Sequence, residues 1–498
     1  MGAGVDFPVR QAGAYVQDSW SPSRRILVAL GLRLDVPSLP NTPVTIPALS
    51  DSFGVTSGSK PTGNALWSPR VSATYRPGGD DRTVLRGGIG LFGGRPPYRW
   101  IGNIYRDGGL QEELLVCNRP AVPQFNPNTQ PATCSDSTGA VPAVSFIDRG
   151  VRFPQNLKIA LGIDRVLASG LLATLELLYT RGVKELYFTD VNLQPPAWVE
   201  AGEGGRAMYG TIEPSGNPAI AHPNRRDATL LQVIRVSNRS GDQAYSVAAR
   251  LERRFQSGRV SATYAYAHAR DLFSLNNFNA RPTLQGTPLD GTLEDRRLAT
   301  SLFDTRHRVT ITATFRLPLN IGASFLYSGS SGTPFSYIVN GDANADGMGE
   351  RVVKNDIVYV PRDSLDITLV AESTYKQLNS FIESERCLRE QRGRILRRNS
   401  CRNPWVGGLN ARLTKLVELR NGQSLEIGAD VFNFLNLLNA RWGQYRYTVL
   451  GPSVQLLALR GYDGTNQRGI YTPIQVVKNR VLEDASRWRA VISARFVF

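Results

Sequence analysis

From Arg487 to Phe498 the chain reads Arg-Trp-Arg-Ala-Val-Ile-Ser-Ala-Arg-Phe-Val-Phe, an alternation that runs to the final residue. Trp488, Ala490, Ile492, Ala494, Phe496 and Phe498 share one face of an extended strand, and Arg487, Arg489, Ser493 and Arg495 share the other. Val491 and Val497 are small apolar exceptions on the wet face. A period of two describes a strand with one greasy side and one solvated side. Chain ends usually fray, so a tail patterned this strictly must pair with something. Two architectures accommodate it: an edge strand of a soluble sheet, or the last strand of a closed membrane barrel, which leaves no edge open to lipid.

The same alternation recurs from end to end. It is clear in 25–35, 68–76, 82–91, 156–166, 171–181, 244–255, 258–270, 307–317, 321–329, 423–434 and 486–498. Tyr245, Val247, Ala249 and Leu251 oppose Ser246, Arg250, Glu252 and Arg254; after Gln256-Ser-Gly258 the apolar face resumes with Val260, Ala262, Tyr264 and Tyr266. Such pairs of ~10-residue runs have the length of tilted barrel strands joined by tight turns. Short connections (76–81, 256–258, 317–320, 421–422) alternate with long polar ones (37–67, 94–156, 190–229, 271–306, 329–406, 436–468). Tight turns on one rim and long loops on the other are an outer-membrane barrel pattern, and a compact soluble domain rarely holds loops so long. Tyr15, Trp20, Tyr75, Tyr179, Tyr187, Trp442 and Tyr471 lie near run ends, where an aromatic girdle belongs. The expectation is an all-β, antiparallel transmembrane β-barrel, partial, with roughly 14 to 17 strands and long extracellular loops.

Composition agrees where it bears on the question. No stretch approaches the ~18 uninterrupted apolar residues of a helical span. The 47 Gly and 30 Pro suit strands and turns. A formal charge of +16 raises nucleic-acid binding. However, Arg alternates with apolar residues along the whole chain and forms no basic helix or stripe, so nucleic acid is excluded as a partner. Arg lining a lumen, or facing anionic lipid and lipopolysaccharide, accounts for the charge instead. Met1-Gly-Ala-Gly-Val-Asp-Phe7 carries no export signal, so the chain is expected to be incomplete at its amino end.

Four cysteines form two local pairs, Cys117 with Cys134 and Cys387 with Cys401, each bracketing a polar stretch without a nearby His. Two loop-closing disulfides in an oxidising compartment are the economical reading, with free thiols as the alternative. The second stretch concentrates Arg389, Arg392, Arg394, Arg397 and Arg398, either a basic loop for an anionic glycolipid or acidic ligand, or a solvated charged loop. In Gly341-Asp-Ala-Asn-Ala-Asp-Gly347, Asp342, Asn344 and Asp346 place oxygen ligands at alternate positions, as in calcium loops. Val353 stands where an EF-hand has its bidentate Glu, so the choice lies between a reduced calcium turn, helped by Glu350, and a plain Asx-rich turn. No cofactor is expected unless this turn binds calcium. Gly88-Ile-Gly-Leu-Phe-Gly93 matches a dinucleotide fingerprint but runs into Gly94-Arg-Pro-Pro97, which no helix interior accepts. His222, His268 and His307 are scattered, and no nucleophile elbow or phosphate loop is present. An enzyme is not expected.

Several segments resemble a known family. Tyr15-Val-Gln-Asp-Ser-Trp20 followed by Arg25 to Asp35 resembles a paired-strand signature of TonB-dependent receptors. Ser68 to Tyr75 and Thr83 to Phe92 resemble the next strands of the Oar-like branch, and Asp430-Val-Phe-Asn-Phe-Leu-Asn436 a late barrel strand. The ending with Trp488, Ile492, Phe496 and Phe498 resembles the outer-membrane barrel-assembly signal. The resemblance implies that residues 1–498 are a receptor barrel in the bacterial outer membrane, with lipid, lipopolysaccharide and the barrel-assembly machinery as partners. It further implies energy-coupled uptake of a scarce nutrient, through a TonB complex acting on an amino-terminal plug that this sequence lacks. The rivals are a passive channel or surface adhesin on the same barrel, and a soluble, secreted β-rich binding protein.

Overall fold

The computed structural model describes residues 7–43, 45–61, 64–78, 82–94, 98–107, 124, 126, 143–167, 170–274, 280–348, 354–419 and 422–498. Thirteen strands succeed one another in a single antiparallel path. They are β1 (Arg10–Ser23), β2 (Ile26–Ser38), β3 (Leu66–Tyr75), β4 (Thr83–Gly93), β5 (Gln155–Val166), β6 (Leu171–Asp190) and β7 (Gln243–Phe255). The path continues with β8 (Gly258–Asp271), β9 (His307–Leu317), β10 (Ile321–Ser330), β11 (Val406–Glu418), β12 (Ser424–Phe432) and β13 (Arg489–Val497). Three further strands join it at its margin, for a sheet of sixteen. No described helix is long and apolar enough to cross a membrane.

Strand pairing carries the alternation across the whole sheet, because directly paired residues point to the same side. Tyr245, Val247, Ala249 and Leu251 of β7 pair with His268, Tyr266, Tyr264 and Ala262 of β8. On the opposite side, Arg250 pairs with Thr263 and Glu252 with Ser261. At the far end Leu425 and Ile427 of β12 pair with Phe496 and Ala494 of β13, while Glu426 pairs with Arg495. One face is therefore an aliphatic and aromatic ladder left open to its surroundings: Leu30 is 55% exposed, Leu161 56%, Leu251 50% and Ile492 83%. A contiguous apolar surface of this extent is incompatible with water and fits hydrocarbon.

The other face is polar, and glycine sets how its long side chains lie. Arg70 of β3 pairs with Gly31 on one neighbour and Gly90 on the other. A Cβ at Gly31 would stand 2.7 Å from the Arg70 Nε, and one at Gly90 would stand 2.9 Å from its Cβ. Arg70 therefore lies flat across Gly31 and donates to Gln17 Oε1 on β1 at 2.8 Å. Arg86 does the same over Gly162, ion-pairing with Asp164 (2.9 Å) and with Glu176 (2.9 Å) two strands away. Glu252 is held by Arg259 (2.6 Å), Arg254 (3.1 Å) and Arg250. The spaced glycines of 88–93 thus belong to a strand, β4, and one of them, Gly90, gives room to a neighbouring strand's arginine.

Tight connections join β1–β2, β3–β4, β5–β6, β7–β8, β9–β10 and β11–β12, so all six long connections leave from the opposite rim. In the β9–β10 turn Leu319 and Asn320 adopt positive φ (64° and 56°), which matches the turn to the strand twist. Among the described residues β1 pairs only with β2 and β13 only with β12, and the sheet does not close on itself. In hydrocarbon an unpaired strand edge costs several kcal/mol per backbone group, so both edges require partners there. The long connections differ from the polar loops the sequence suggests. They pack together, and Tyr187 and Tyr471, expected in an aromatic girdle, are buried in that packing at 4% and 2% exposure. Trp20, Tyr75 and Tyr179 do lie on the apolar face, with Val28, Ile26 and Ile159 as register partners for the first two and the last.

The register generates a direct expectation. Val247→Arg puts a charge on the apolar face near mid-strand and should destabilise the folded protein by ~2–4 kcal/mol in urea unfolding from lipid. Ala248→Arg, one residue along and on the polar face, should cost far less. Equal losses at the two positions would overturn the register.

Candidate functional site: the loop assembly at one rim

The long connections build a cap around two large hydrophobic cores. Phe335, Tyr337 and Val339 from strand Pro334–Asn340 pack with Leu457 and Leu459 from strand Ser453–Asp463, Tyr471, and Leu378 and Ile382 of helix Tyr375–Ser384. Alternate apolar positions on the two parallel strands point into the same layer, which is why these segments form a sheet although their flanks are polar. The second core joins Phe153, Phe188, Ile234, Phe273 and Leu284 at the root of the cap, where β6 runs past the membrane-facing strands.

Charged groups are buried between the connections and staple them together. Arg206 donates to the Ile357 carbonyl at 2.9 Å and faces Glu203 (3.4 Å), Glu200 (3.7 Å) and Asp356 (3.7 Å). Glu203 in turn accepts from the Gly469 N–H and the Tyr471 hydroxyl, both at 2.9 Å. Three carboxyls compete for one guanidinium, so burial, and then the neighbouring Glu203, push Glu200 up to about 9. Burial, with Asp346 nearby, raises Asp356 to about 7. At the root of the cap Arg152, Lys184, Arg235 and Arg239 line an open cleft of about 690 Å³ with Asp148 and Glu294. Asp148 pairs with Arg235 at 2.7 Å, and the Arg239 guanidinium stacks 4.6 Å from the Tyr187 ring. A basic, aromatic-floored cleft of this kind suits an anionic group.

The residues singled out from sequence fall in different places. Cys387 and Cys401 are disulfide-bonded, with Cα atoms 5.2 Å apart. Cys117, Cys134, Glu350 and Val353 lie outside the described residues. The stretch between Cys387 and Cys401 is not a free basic loop: Leu388 and Leu396 are buried in the cap core. Arg398 is not available at the surface. It is 2% exposed, ion-pairs with Asp271 at 2.7 Å, and its N–H donates to Asp290 at 3.1 Å. Arg392 is bound to Asn379 and to Glu383 (2.6 Å), which leaves Arg389, Arg394 and Arg397 exposed. Asp342, Asn344 and Asp346 are brought together and fully buried. Trp488, Ile492, Phe496 and Phe498 stay on the apolar side at the sheet edge, Phe498 at 96% exposure and stacked on Phe496. The cleft arginines were missed because they come from two separate connections, and only the 185–190 extension of β6 brings them together.

A wall of alternating strands, tight turns on one rim and a packed cap on the other define a transmembrane β-barrel protein. Residues 3–444 match the family described as "Outer membrane beta barrel domain", and the chain belongs to that family in the bacterial outer membrane. No curated protein sequence matches the chain. Among solved structures it is similar to the outer membrane transporter YddB from Escherichia coli (10% identity, TM-score 0.47, 98% of this chain and 45% of that one). It is also similar to the FrpB iron transporter from Neisseria meningitidis (7%, 0.43, 98% and 45%). A third is a mutant ferric enterobactin receptor PfeA from Pseudomonas aeruginosa (11%, 0.44, 98% and 45%). The chain spans under half the length of these proteins.

Burial also generates a pH expectation for the cap. Asp190, at the capward end of β6, accepts N–H bonds from Asn192 and Val233 at 3.0 Å each. Burial nevertheless raises its carboxyl to about 6, above the ~3.9 of an unfolded Asp. The folded cap therefore holds this proton more tightly than the unfolded chain does. That contribution to stability is complete below pH ~4 and is lost as pH rises through about 6. Hydrogen-exchange protection of residues 232–239 should fall between pH 5 and 7.5, and Asp190→Asn, which keeps an acceptor oxygen, should flatten that fall. An unchanged slope in the variant would remove Asp190 as its source.

Proposed function

We propose that the chain is the barrel of an outer-membrane receptor that imports a scarce nutrient with energy supplied through TonB. The observation that carries this reading is the packed cap. Its six connections share hydrophobic cores and buried ion pairs, so a ligand meets a preorganised surface and pays little ordering entropy. A simple pore has no use for such a surface. The resemblance of Tyr15 to Asp35 and Asp430 to Asn436 to TonB-dependent receptors supports energy coupling, and the names of the similar transporters and receptors point the same way. In this reading the apolar ending from Trp488 to Phe498 is presented to the barrel-assembly machinery. Arg389, Arg394 and Arg397 face lipopolysaccharide. The basic cleft at Arg152, Arg235 and Arg239 offers a first contact for an anionic ligand.

Planar-bilayer recording combined with crosslinking in cells tests the proposal. A receptor shows no steady ohmic conductance at rest, and the native protein should be captured by the periplasmic domain of TonB. Steady conductance without capture would favour the passive channel.

A further inference from the structure

The turn from Gly341 to Gly347 contributes only Ala343 and Ala345 to the cap's hydrophobic core, yet it lies at a junction of three connections. The Tyr209 N–H donates to the Asn344 carbonyl at 2.8 Å, and the Leu289 N–H donates to the Asn355 carbonyl at 2.8 Å. Within the turn the Asp346 and Gly347 N–H groups donate to the two oxygens of Asp342, at 3.0 and 2.7 Å. Positive φ at Ala345 (53°) and Gly347 (77°) curls the chain around that carboxylate. Asp346 Oδ2 then meets two amides, Asn344 Nδ2 at 3.1 Å and Asn355 Nδ2 at 2.8 Å. Asp356 is drawn to the same place by the Ala343 N–H, at 2.7 Å.

All five side chains are at most 2% exposed. Neither Asp342 nor Asp346 has an ion-pair partner among the described residues, and the Arg206 beside Asp356 is shared with Glu200 and Glu203. Independently of this acidity, two buried oxygens are left without any hydrogen bond: Asn355 Oδ1 and Asp356 Oδ1. Asn355 is the more telling, because its other amide atom already touches Asp346. Amide oxygen and nitrogen are nearly interchangeable in shape, so a half-turn of this side chain brings the orphaned oxygen to the carboxylate. That rotation is repulsive unless a cation lies between them.

We propose that Asp342, Asn344, Asp346, Asn355 and Asp356 bind a calcium ion that locks the three connections together. Among the described residues no three His, Cys, Asp or Glu side chains converge as ready metal ligands. The ion therefore draws on the two asparagine amides and on main-chain carbonyls as well as carboxylates. An all-oxygen set mixing carboxylate and amide suits calcium, which takes six to eight such ligands; zinc and copper favour the His and Cys that are missing here. With few carboxylates the affinity should be about 10⁻⁴–10⁻³ M, that of extracellular modules.

The test uses the purified full chain in lipid, with calcium chloride or magnesium chloride as probe and protease protection of residues 331–405 as readout. Calcium at 10 mM, roughly ten times the upper end of that affinity range, should slow cleavage at least tenfold, with about one ion bound per chain by equilibrium dialysis, and magnesium should not. Asn355→Asp separates the proposal from a plain hydrogen-bonded turn. With an ion, the added carboxylate tightens calcium binding and protection; without one, it adds a buried negative charge and loosens the cap whether or not calcium is present. Asp346→Asn, which preserves shape, should abolish the calcium response. No bound calcium, or a response unchanged in Asp346→Asn, would overturn the site.

Discussion

Inside a bilayer no water is available to a backbone N–H or C=O, so every such group in a strand must be met by the strand beside it. That constraint turns a weak local pattern into a specified sheet. Each strand from β2 to β12 is paired on both sides, and one alternation runs from Tyr15 opposite Arg33 to Ser424 opposite Val497, with register shifts only at strand ends, between Trp20 and Ser23 and between Gln155 and Asn156. A one-residue slip anywhere would exchange the lipid-facing and inner sets for every strand beyond it. The apolar ladder from Leu30 to Phe496 and the charged face from Arg33 to Arg495 are thus consequences of the same pairing.

The inner face shows how a barrel wall accommodates long charged side chains. Arg70 and Arg86 are not extended into open space. Each lies over a glycine on the adjacent strand and ends on an acceptor one strand further away, Gln17 or Glu176. Such pairs are half-exposed, with the Arg86 side chain at 45%, and contribute little to stability individually. Their effect is on shape: they keep the wall smooth. The cap relies on the opposite arrangement. Arg206 and Arg398 are buried, where breaking a pair is costly, and each ties together connections far apart in sequence.

The barrel wall was legible in the sequence because its period is local. The runs at 307–317 and 156–166 coincide with β9 and β5 to within a residue, and the faces assigned to Val247 and Arg250 are those the pairing imposes. The cap was not legible, for a physical reason. Its strands are short, such as Arg206–Met208 and Gly210–Ile212; they pair within their own connection, but Met208 and Ile212 are buried against side chains from other connections. Arg398 illustrates the difficulty: among five arginines in fifteen residues it reads as surface charge, and only Asp271 and Asp290, over a hundred residues away, make it a buried staple. The acidic turn was visible as a pattern of ligands, but Asn355 and Asp356, which complete it, follow no motif.

The central claim is that one face of this sheet meets hydrocarbon and the other an aqueous interior. Nitroxide scanning along β9, from His307 to Leu317, in lipid vesicles tests it most directly. Collision with dissolved oxygen should peak at Val309, Ile311, Ala313 and Phe315, and collision with a water-soluble nickel chelate at Thr310, Thr312 and Thr314. Nickel access that is uniform along the strand, or that repeats with a helical period, would contradict the account.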